Sequence, residues 1–272
     1  MKYLFLTITA MGLLFSVAYA TESDAGKYQK CMGLVENNAP EAVIYANDWI
    51  FGGGGRIPAG HCKALALLAR GEVIDSAILL EKLAEDLVIK GDANQADVRK
   101  NAGLRVQLYA QAALAWKEAG YKDKSKFDKA YVAYSSALVA IGEEKLSSDR
   151  TIFYELFLGR GTLQILRGQY KAAVEDFTLA IEKDSRQFEV FLQRAKAYRK
   201  RRIYLKAQLD LKVATKLSGG HPGILLERGI IFREQGKKSE ARLAWQNVID
   251  LYPKSEEANM AITNVEMLER GQ

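Results

Sequence analysis

The stretch that decides the fold runs from residue 188 to residue 221 and reads FEVFLQRAKAYRKRRIYLKAQLDLKVATKLSGGH. The stretch before it, YELFLGRGTLQILRGQYKAAVEDFTLAIEKDSRQ from residue 154, aligns with it without a gap. The stretch after it, PGILLERGIIFREQGKKSEARLAWQNVIDLYPKS up to residue 255, does the same. Three consecutive units therefore share one period of 34 residues, which indicates a repeat architecture rather than a single globular core.

Small and bulky side chains return at fixed places in each unit. In the middle unit Phe191, Ala195 and Tyr198 fall at i, i+4 and i+7, which is one face of a helix. After the turn, a second set of small and bulky residues with the same spacing begins at Ala207 and includes Leu211. Each unit is therefore predicted to be two antiparallel helices, and successive pairs stack because one pair alone cannot bury both of its faces. The predicted fold class is all-α.

At these positions the sequence resembles the tetratricopeptide repeat family. The resemblance implies an α–α superhelix whose first helices line an inner groove. It also implies a protein-binding scaffold that performs no chemistry. The residues that carry the resemblance are Gly161, Gly168, Tyr170, Ala173, Phe177 and Ala180 in the first unit, and Gly229, Gly236, Ala241, Trp245 and Pro253 in the third.

The rest of the chain is predicted to be helical as well. Leu104–Gly120 and Phe127–Ile141 look like a weaker copy of the same helix pair, and Pro40 is expected to start a helix near the N-terminus. The last helix is expected to bury a face that includes Ala258 and Ile262. The predicted domains are a signal peptide at 1–20, an N-terminal helical segment at 21–60, degenerate helix pairs at 61–150, repeats at 154–187, 188–221 and 222–255, and a capping helix at 256–272.

The first twenty residues have the order of a secretory signal peptide. Lys2 precedes an uncharged, mostly apolar run, and Ala18-Tyr19-Ala20 supplies small residues where a signal peptidase cuts. An uncleaved membrane anchor is the alternative, although the run is shorter than the ~20 residues of a spanning helix. We expect a periplasmic or secreted mature chain that starts at Thr21 and has no transmembrane segment.

The charge and the cysteine content limit the kinds of site that the chain can form. The 272 residues include 39 basic and 33 acidic side chains, for a formal net charge of +6. The two cysteines, Cys31 and Cys62, are predicted to form a disulfide, because an isolated pair in an oxidising compartment favours that state. His61 precedes Cys62, which raises the alternative of a metal site. Two cysteines and one histidine without paired spacing are a thin ligand set, so no metal and no cofactor is predicted.

No enzyme motif stands out in the sequence. Gly52-Gly53-Gly54-Gly55 is followed by Arg56-Ile57-Pro58 rather than by the Lys-Ser/Thr that ends a phosphate loop, so we expect a connector between helices. No serine lies in a GxSxG elbow. The chain is predicted not to be an enzyme, and a catalytic site in the N-terminal part, dependent on His61, is the alternative.

Helical phase places nine side chains on the inner face of the first helices, where the resemblance puts the binding groove. Their character changes along the groove, from apolar in the first unit to basic in the middle unit. A basic groove favours a protein or peptide partner with acidic residues, while secretion argues against nucleic acid. An anionic lipid or acidic envelope polymer is the alternative partner, and a merely solvated helix face is another alternative. The predicted groove residues are Leu158, Thr162, Ile165, Leu192, Lys196, Arg199, Lys200, Ile230 and Arg233.

A charged pair also recurs at the period of the repeats. In the first unit the pair is Arg160 on the first helix and Asp176 on the second. In the middle unit it is Arg194 with Asp210. We predict an ion pair inside each of these repeats that fixes the register of the two helices, with ligand contact as the alternative. The third unit keeps the arginine, Arg228, but has alanine in the aspartate column, which leaves this arginine freer.

Overall fold

The computed structural model describes residues 22–88, 95–143 and 150–270. Helices account for almost all of these residues, and no β-strand occurs within the three ranges. The predicted all-α fold class is confirmed. The chain divides into two compact units, Met1–Asp149 and Arg150–Gln272. The predicted signal peptide lies outside the described residues, and no helix within them is long and apolar enough to cross a membrane.

The described part of the N-terminal unit consists of helices that pack against their neighbours along the chain. Pro40 lies in the first turn of the second helix, where a missing backbone N–H leaves no hydrogen bond unmade. The long fifth helix begins at Gln95, nine residues before the predicted start, and the boundary expected after residue 60 falls inside the third helix. The helices are α1 (Glu22–Asn37), α2 (Ala39–Phe51), α3 (Arg56–Ala69), α4 (Val73–Asp86), α5 (Gln95–Gly120) and α6 (Lys126–Glu143).

The described part of the C-terminal unit consists of three antiparallel helix pairs followed by a single helix. The first pair begins at Arg150, slightly before the sequence repeat. Each 34-residue sequence unit therefore corresponds to one first helix, one short turn and one second helix. The helices are α7 (Arg150–Leu166), α8 (Tyr170–Lys183), α9 (Phe188–Lys200), α10 (Tyr204–Ser218), α11 (Pro222–Glu234), α12 (Lys238–Leu251) and α13 (Glu256–Glu269).

The turn inside each of these pairs requires one residue in the left-handed backbone region. Gly168 has φ +74° in the first pair and Gly236 has φ +77° in the third, a conformation that costs glycine little. Arg202 holds this position in the middle pair with φ 58°, and it is the one non-glycine residue with positive φ in the described chain. A side chain in this region costs about 1–2 kcal/mol. The middle turn is therefore strained where the other two are relaxed.

Glycines on the first helices face large rings on the second helices. A Cβ at Gly161 would lie 2.6 Å from the ring of Phe177. A Cβ at Gly229 would lie 2.2 Å from the indole of Trp245. In the middle pair the smaller Leu211 occupies the ring column, and alanine replaces the glycine. The small and bulky columns of the sequence are thus the contact at which two helix backbones approach each other closely.

The single helix α13 covers one side of the third pair, where it packs against α11 and α12. The hydroxyl of Ser255 accepts a hydrogen bond from the N–H of Ala258 at 3.0 Å and caps the helix. Ala258, Ala261 and Leu268 are buried. Ile262, which was expected on this face, is 42% exposed, because the helix turns the smaller Ala261 toward the core instead.

Candidate partner-binding face

The nine predicted groove residues all lie on the first helices of the C-terminal pairs, α7, α9 and α11. The nine residues were predicted to form one surface on these three helices, and we call this surface the first-helix face. Seven of the nine reach the surface at least in part. The other two, Leu192 and Arg199, are buried. The face is therefore smaller and less basic than the sequence alone predicts.

The part of the face on α7 is apolar. Leu158 and Ile165 are half-buried and pack with one side against the core of the first two pairs. Between them, the hydroxyl of Thr162 donates a hydrogen bond to the carbonyl oxygen of Leu158 at 2.8 Å. Because that hydroxyl is already used within the helix, α7 offers a partner mainly aliphatic area.

The part of the face on α9 carries two lysines. Lys200 is exposed and Lys196 is half-buried, and neither makes an ion pair within the described chain. Leu192 differs from the expectation, since only 3% of it is exposed and it lies against the position of Gly223 on the next first helix. Leu192 is therefore part of the core between two repeats rather than of a binding surface.

Arg199 is the main correction to the predicted groove. Its Nε donates to Oε1 of Glu227 at 2.5 Å, and its Nη1 donates to Oε1 of Glu234 at 2.7 Å. Glu227 is 3% exposed. Burial lowers the pKa of Arg199, but the two carboxylates outweigh burial and raise it, so the guanidinium stays charged. Two carboxylates of the protein itself therefore neutralise its charge.

The part of the face on α11 mixes apolar and basic character. Ile230 is half-buried against the core of the third pair. The guanidinium carbon of Arg233 lies 5.8 Å from the centre of a Trp245 ring, a cation–π contact that holds the side chain against the helix pair. This arginine keeps its charge at the surface, but its position is fixed by the indole.

A cleft of about 360 Å³ opens at the C-terminal end of α9. Arg199 and Lys200 line it together with Arg202, Tyr204 and Glu234. From the sequence, the first two were predicted to lie in the groove, but the strained Arg202 was not. Arg202 stands where the other two repeats have a glycine in the turn, and this departure from the repeat pattern could have identified it. Glu234 brings a carboxylate into this basic cleft and lowers its positive potential.

The predicted ion pairs inside the first two repeats are confirmed. Arg160 Nη2 lies 2.6 Å from Asp176 Oδ1, and Arg160 Nε also donates to the same carboxylate. Arg194 donates hydrogen bonds from Nε and Nη2 to the carboxylate of Asp210, both at 2.8 Å. These two-pronged contacts connect the two helices of each pair and fix their register.

In the N-terminal unit, the predicted disulfide between Cys31 and Cys62 is present and joins α1 to α3. The Cα atoms of the two cysteines are 6.2 Å apart. The cross-link closes a loop across 31 residues, which in the chain-entropy description is worth about 3–4 kcal/mol of stability.

His61, next to the disulfide, is fully buried. Its Nε2 lies 2.8 Å from the amide oxygen of Gln111, and its Nδ1 lies 2.8 Å from the hydroxyl of Tyr28. The neutral imidazole satisfies both contacts at once, because Nε2–H donates to the amide oxygen while Nδ1 accepts from the phenol. Burial lowers the pKa of His61 to about 4. No group of three or more metal-ligating side chains gathers in the described residues.

Comparison with known proteins agrees with this architecture. A model of the tetratricopeptide repeat family matches residues 224–255, which cover most of the third helix pair. No curated protein sequence matches the chain. Among solved structures, PilF of Pseudomonas aeruginosa is 17% identical, with a TM-score of 0.54 over 92% of this chain and 98% of its own. MamA of Desulfovibrio magneticus RS-1 is 13% identical, with a TM-score of 0.56 over 75% of this chain and 98% of its own.

A third solved structure, PilW, described as a widely conserved type IV pilus biogenesis factor, is 15% identical. Its TM-score is 0.52 over 89% of this chain and all of its own. At these identities the likeness shows the fold alone, the α–α superhelix class predicted from the repeats. Residues 224–255 therefore match a tetratricopeptide repeat, and the chain shares the helical-repeat fold of these solved structures.

Proposed function

We propose that the chain is a non-enzymatic adaptor that binds a segment of a partner protein on its first-helix face. The composition of that face carries the proposal, since α7 and α11, which carry half-buried aliphatic side chains, both pack against α9, which carries two lysines that no carboxylate in the described chain neutralises. Leu158, Ile165 and Ile230 offer apolar area, and its burial stabilises a complex by roughly 25 cal/mol per Å². Lys196 and Lys200 add charges that influence the choice of partner and the rate of association.

These charges favour a partner segment with acidic residues, though less strongly than a groove with a free Arg199 would. The cluster of Arg199 with its two glutamates carries one net negative charge. This negative charge is smaller than the three positive charges of Lys196, Lys200 and Arg233. The preference is therefore for a segment that combines one or two carboxylates with apolar side chains, rather than for a polyanion.

The test replaces the two lysines without disturbing Arg199. The purified chain is immobilised and exposed to envelope extract, and the captured proteins are compared for the wild type and for Lys196→Glu/Lys200→Glu. We expect specific partners of the wild type to bind roughly tenfold more weakly to the variant, with a smaller dependence on salt. Lys212→Glu/Lys216→Glu, the same change of charge on α10, is the matched control.

Equal loss of capture by both lysine variants would show that net charge, and not the first-helix face, governs binding. Unchanged capture by Lys196→Glu/Lys200→Glu would remove the lysines from the proposal. Introducing a photo-crosslinking residue at Ile230 then tests the apolar part of the face separately.

A second candidate function is binding to an anionic lipid surface, and α10 favours it. Its solvent side carries Lys206, Lys212 and Lys216, and its single acidic residue, Asp210, is buried against Arg194. A helix face of lysines and aliphatic side chains is typical of binding at a membrane interface. The exposed aliphatic residues of α10 are Leu205, Leu209, Val213 and Leu217.

The two candidates predict opposite results for the same pair of variants. Co-sedimentation with phosphatidylglycerol vesicles should be weakened by Lys212→Glu/Lys216→Glu and unaffected by Lys196→Glu/Lys200→Glu. Co-sedimentation should also vanish with phosphatidylcholine vesicles, because these lack the anionic headgroup. If the wild type binds neither kind of vesicle, the adaptor function is the candidate that remains.

We further propose that the chain works in the periplasm or outside the cell after cleavage behind Ala20. The sequence order of residues 1–20 and the Cys31–Cys62 disulfide support this, because structural disulfides persist in oxidising compartments. Mass spectrometry of the unreduced protein from its native compartment is expected to give an N-terminus at Thr21 and a linked peptide that contains both cysteines. A retained Met1 or two free thiols would contradict secretion.

A further inference from the structure

The third repeat keeps an arginine but lacks the carboxylate that holds the same arginine in the other two. Asp176 and Asp210 occupy that column in the first and second pairs, and Ala244 occupies it in the third. Arg228 donates from Nη2 to the hydroxyl of Thr215 at 3.2 Å. Within the described chain it has no carboxylate at ion-pairing distance.

A cavity lies where the arginine and the missing carboxylate would meet. Its volume is about 300 Å³, and both Arg228 and Ala244 line it. Leu225, Phe232 and Leu243 supply the apolar part of its remaining wall, and Glu240 and Asn247 supply the polar part. The site is thus one guanidinium in a largely apolar hollow between α11 and α12, with room for a side chain that the protein itself does not provide.

We propose that this cavity binds an aspartate or glutamate side chain of a partner polypeptide, presented next to an apolar residue. The partner's carboxylate takes the place that Asp210 holds against Arg194, and it accepts hydrogen bonds from Nε and Nη2 of Arg228. The apolar residue covers Leu225 and the walls around it. The inference rests on the proposed binding of a polypeptide, but it uses residues outside the first-helix face.

The charges around the cavity favour a single carboxylate over a phosphate or a polyanion. Arg228 is the one cation in the lining, and Lys237 adds a second positive charge nearby, with its Nζ 6.0 Å from the ring centre of Phe232. Glu240, also in the lining, opposes any further negative charge. Besides Arg228, the side-chain amide of Asn247 is the one hydrogen-bond donor in the lining, and these are fewer donors than the oxygens of a phosphate require.

The experiment is an NMR titration of the full chain that follows the Nε–H resonance of Arg228. The probe is the tripeptide acetyl-Leu-Asp-Leu-amide, and acetyl-Leu-Asn-Leu-amide is its uncharged match. We expect the aspartate peptide to shift the resonance and to bind at least about tenfold more tightly than the asparagine peptide, as for a two-pronged arginine–carboxylate contact.

Two substitutions at one position separate occupation of the site from damage to the fold. Ala244→Asp supplies an internal carboxylate and should abolish binding of the aspartate peptide. Ala244→Asn, of the same size but uncharged, should retain more of the binding. Arg228→Gln should remove the preference for aspartate over asparagine. Circular dichroism establishes that each variant is folded before it is titrated.

The proposal is overturned if the aspartate peptide binds Ala244→Asp as tightly as it binds the wild type, or if both peptides bind equally. It is also overturned if 4-methylpentanoate shifts the resonance and the aspartate peptide does not, since the ligand is then a small acid rather than a polypeptide. Binding should be unchanged in Lys196→Glu/Lys200→Glu. That variant therefore distinguishes failure of this site from failure of the first-helix face.

Discussion

Arg199→Ala is expected to lower the free energy of unfolding of the C-terminal unit by about 3–5 kcal/mol, because it leaves a buried carboxylate without its partner. Glu227 is 3% exposed and receives two hydrogen bonds from the guanidinium. In the variant this carboxylate has neither a cation nor water to stabilise its charge. Urea unfolding, followed by the fluorescence of Trp245 in a background without the other two tryptophans, measures the change.

Two further variants separate the buried ion cluster from charge in general. Lys200→Ala, one residue away but exposed, should change the stability by no more than about 0.5 kcal/mol. Replacing both members of the pair, in Arg199→Met/Glu227→Met, should recover most of the loss, since apolar residues of similar volume often substitute for a buried pair. A loss below about 1 kcal/mol for Arg199→Ala would mean that water reaches Glu227.

The repeat could be predicted from the sequence because its signal is local and periodic. Positions 161 and 229 are both glycine for the same reason. The rings of Phe177 and Trp245 fill the space where a Cβ at these positions would lie. The contact recurs at a fixed distance along the chain. A periodic contact therefore leaves a column in the sequence, and from the columns follow the helix pairs, the turns and the ion pairs within repeats.

The state of Arg199 could not be predicted in the same way. Helical phase placed it toward the groove, but its burial depends on Glu227 and Glu234, which are 28 and 35 residues away on the next first helix. Neither glutamate belongs to a repeating column. A contact that occurs once between two repeats leaves no periodic trace, so the sequence showed the basic side chains of α9 and not the acids that neutralise one of them.

The buried histidine illustrates the same limit in the N-terminal unit, where the repeats are degenerate. His61 stands beside Cys62 in the sequence, and that neighbourhood suggested a metal ligand or a catalytic base. Its partners, Tyr28 and Gln111, are 33 and 50 residues distant. Only the packing of α1, α3 and α5 brings the three side chains together.

Acid should destabilise the N-terminal unit through His61. The pKa of this imidazole falls from 6.5 to about 4 in the folded protein because of burial, while the hydrogen bond that it donates to Gln111 works in the opposite direction. Between these values the unfolded chain binds a proton that the folded chain does not, so stability is fully present above pH 6.5 and is lost as the pH falls toward 4. The loss amounts to about 3 kcal/mol at pH 4.

His61→Gln isolates this contribution from the titration of carboxylates elsewhere. The variant is expected to be less stable than the wild type at pH 7, because glutamine cannot fill the space of the imidazole between Tyr28 and Gln111. The difference between the two proteins should shrink by about 3 kcal/mol between pH 7 and pH 4, since only the wild type loses the histidine contribution. Hydrogen exchange of α3 amides at several pH values follows the unit directly. A difference that stays constant across this range would mean that the imidazole binds its proton without unfolding, and that the Tyr28–His61–Gln111 chain tolerates a charge.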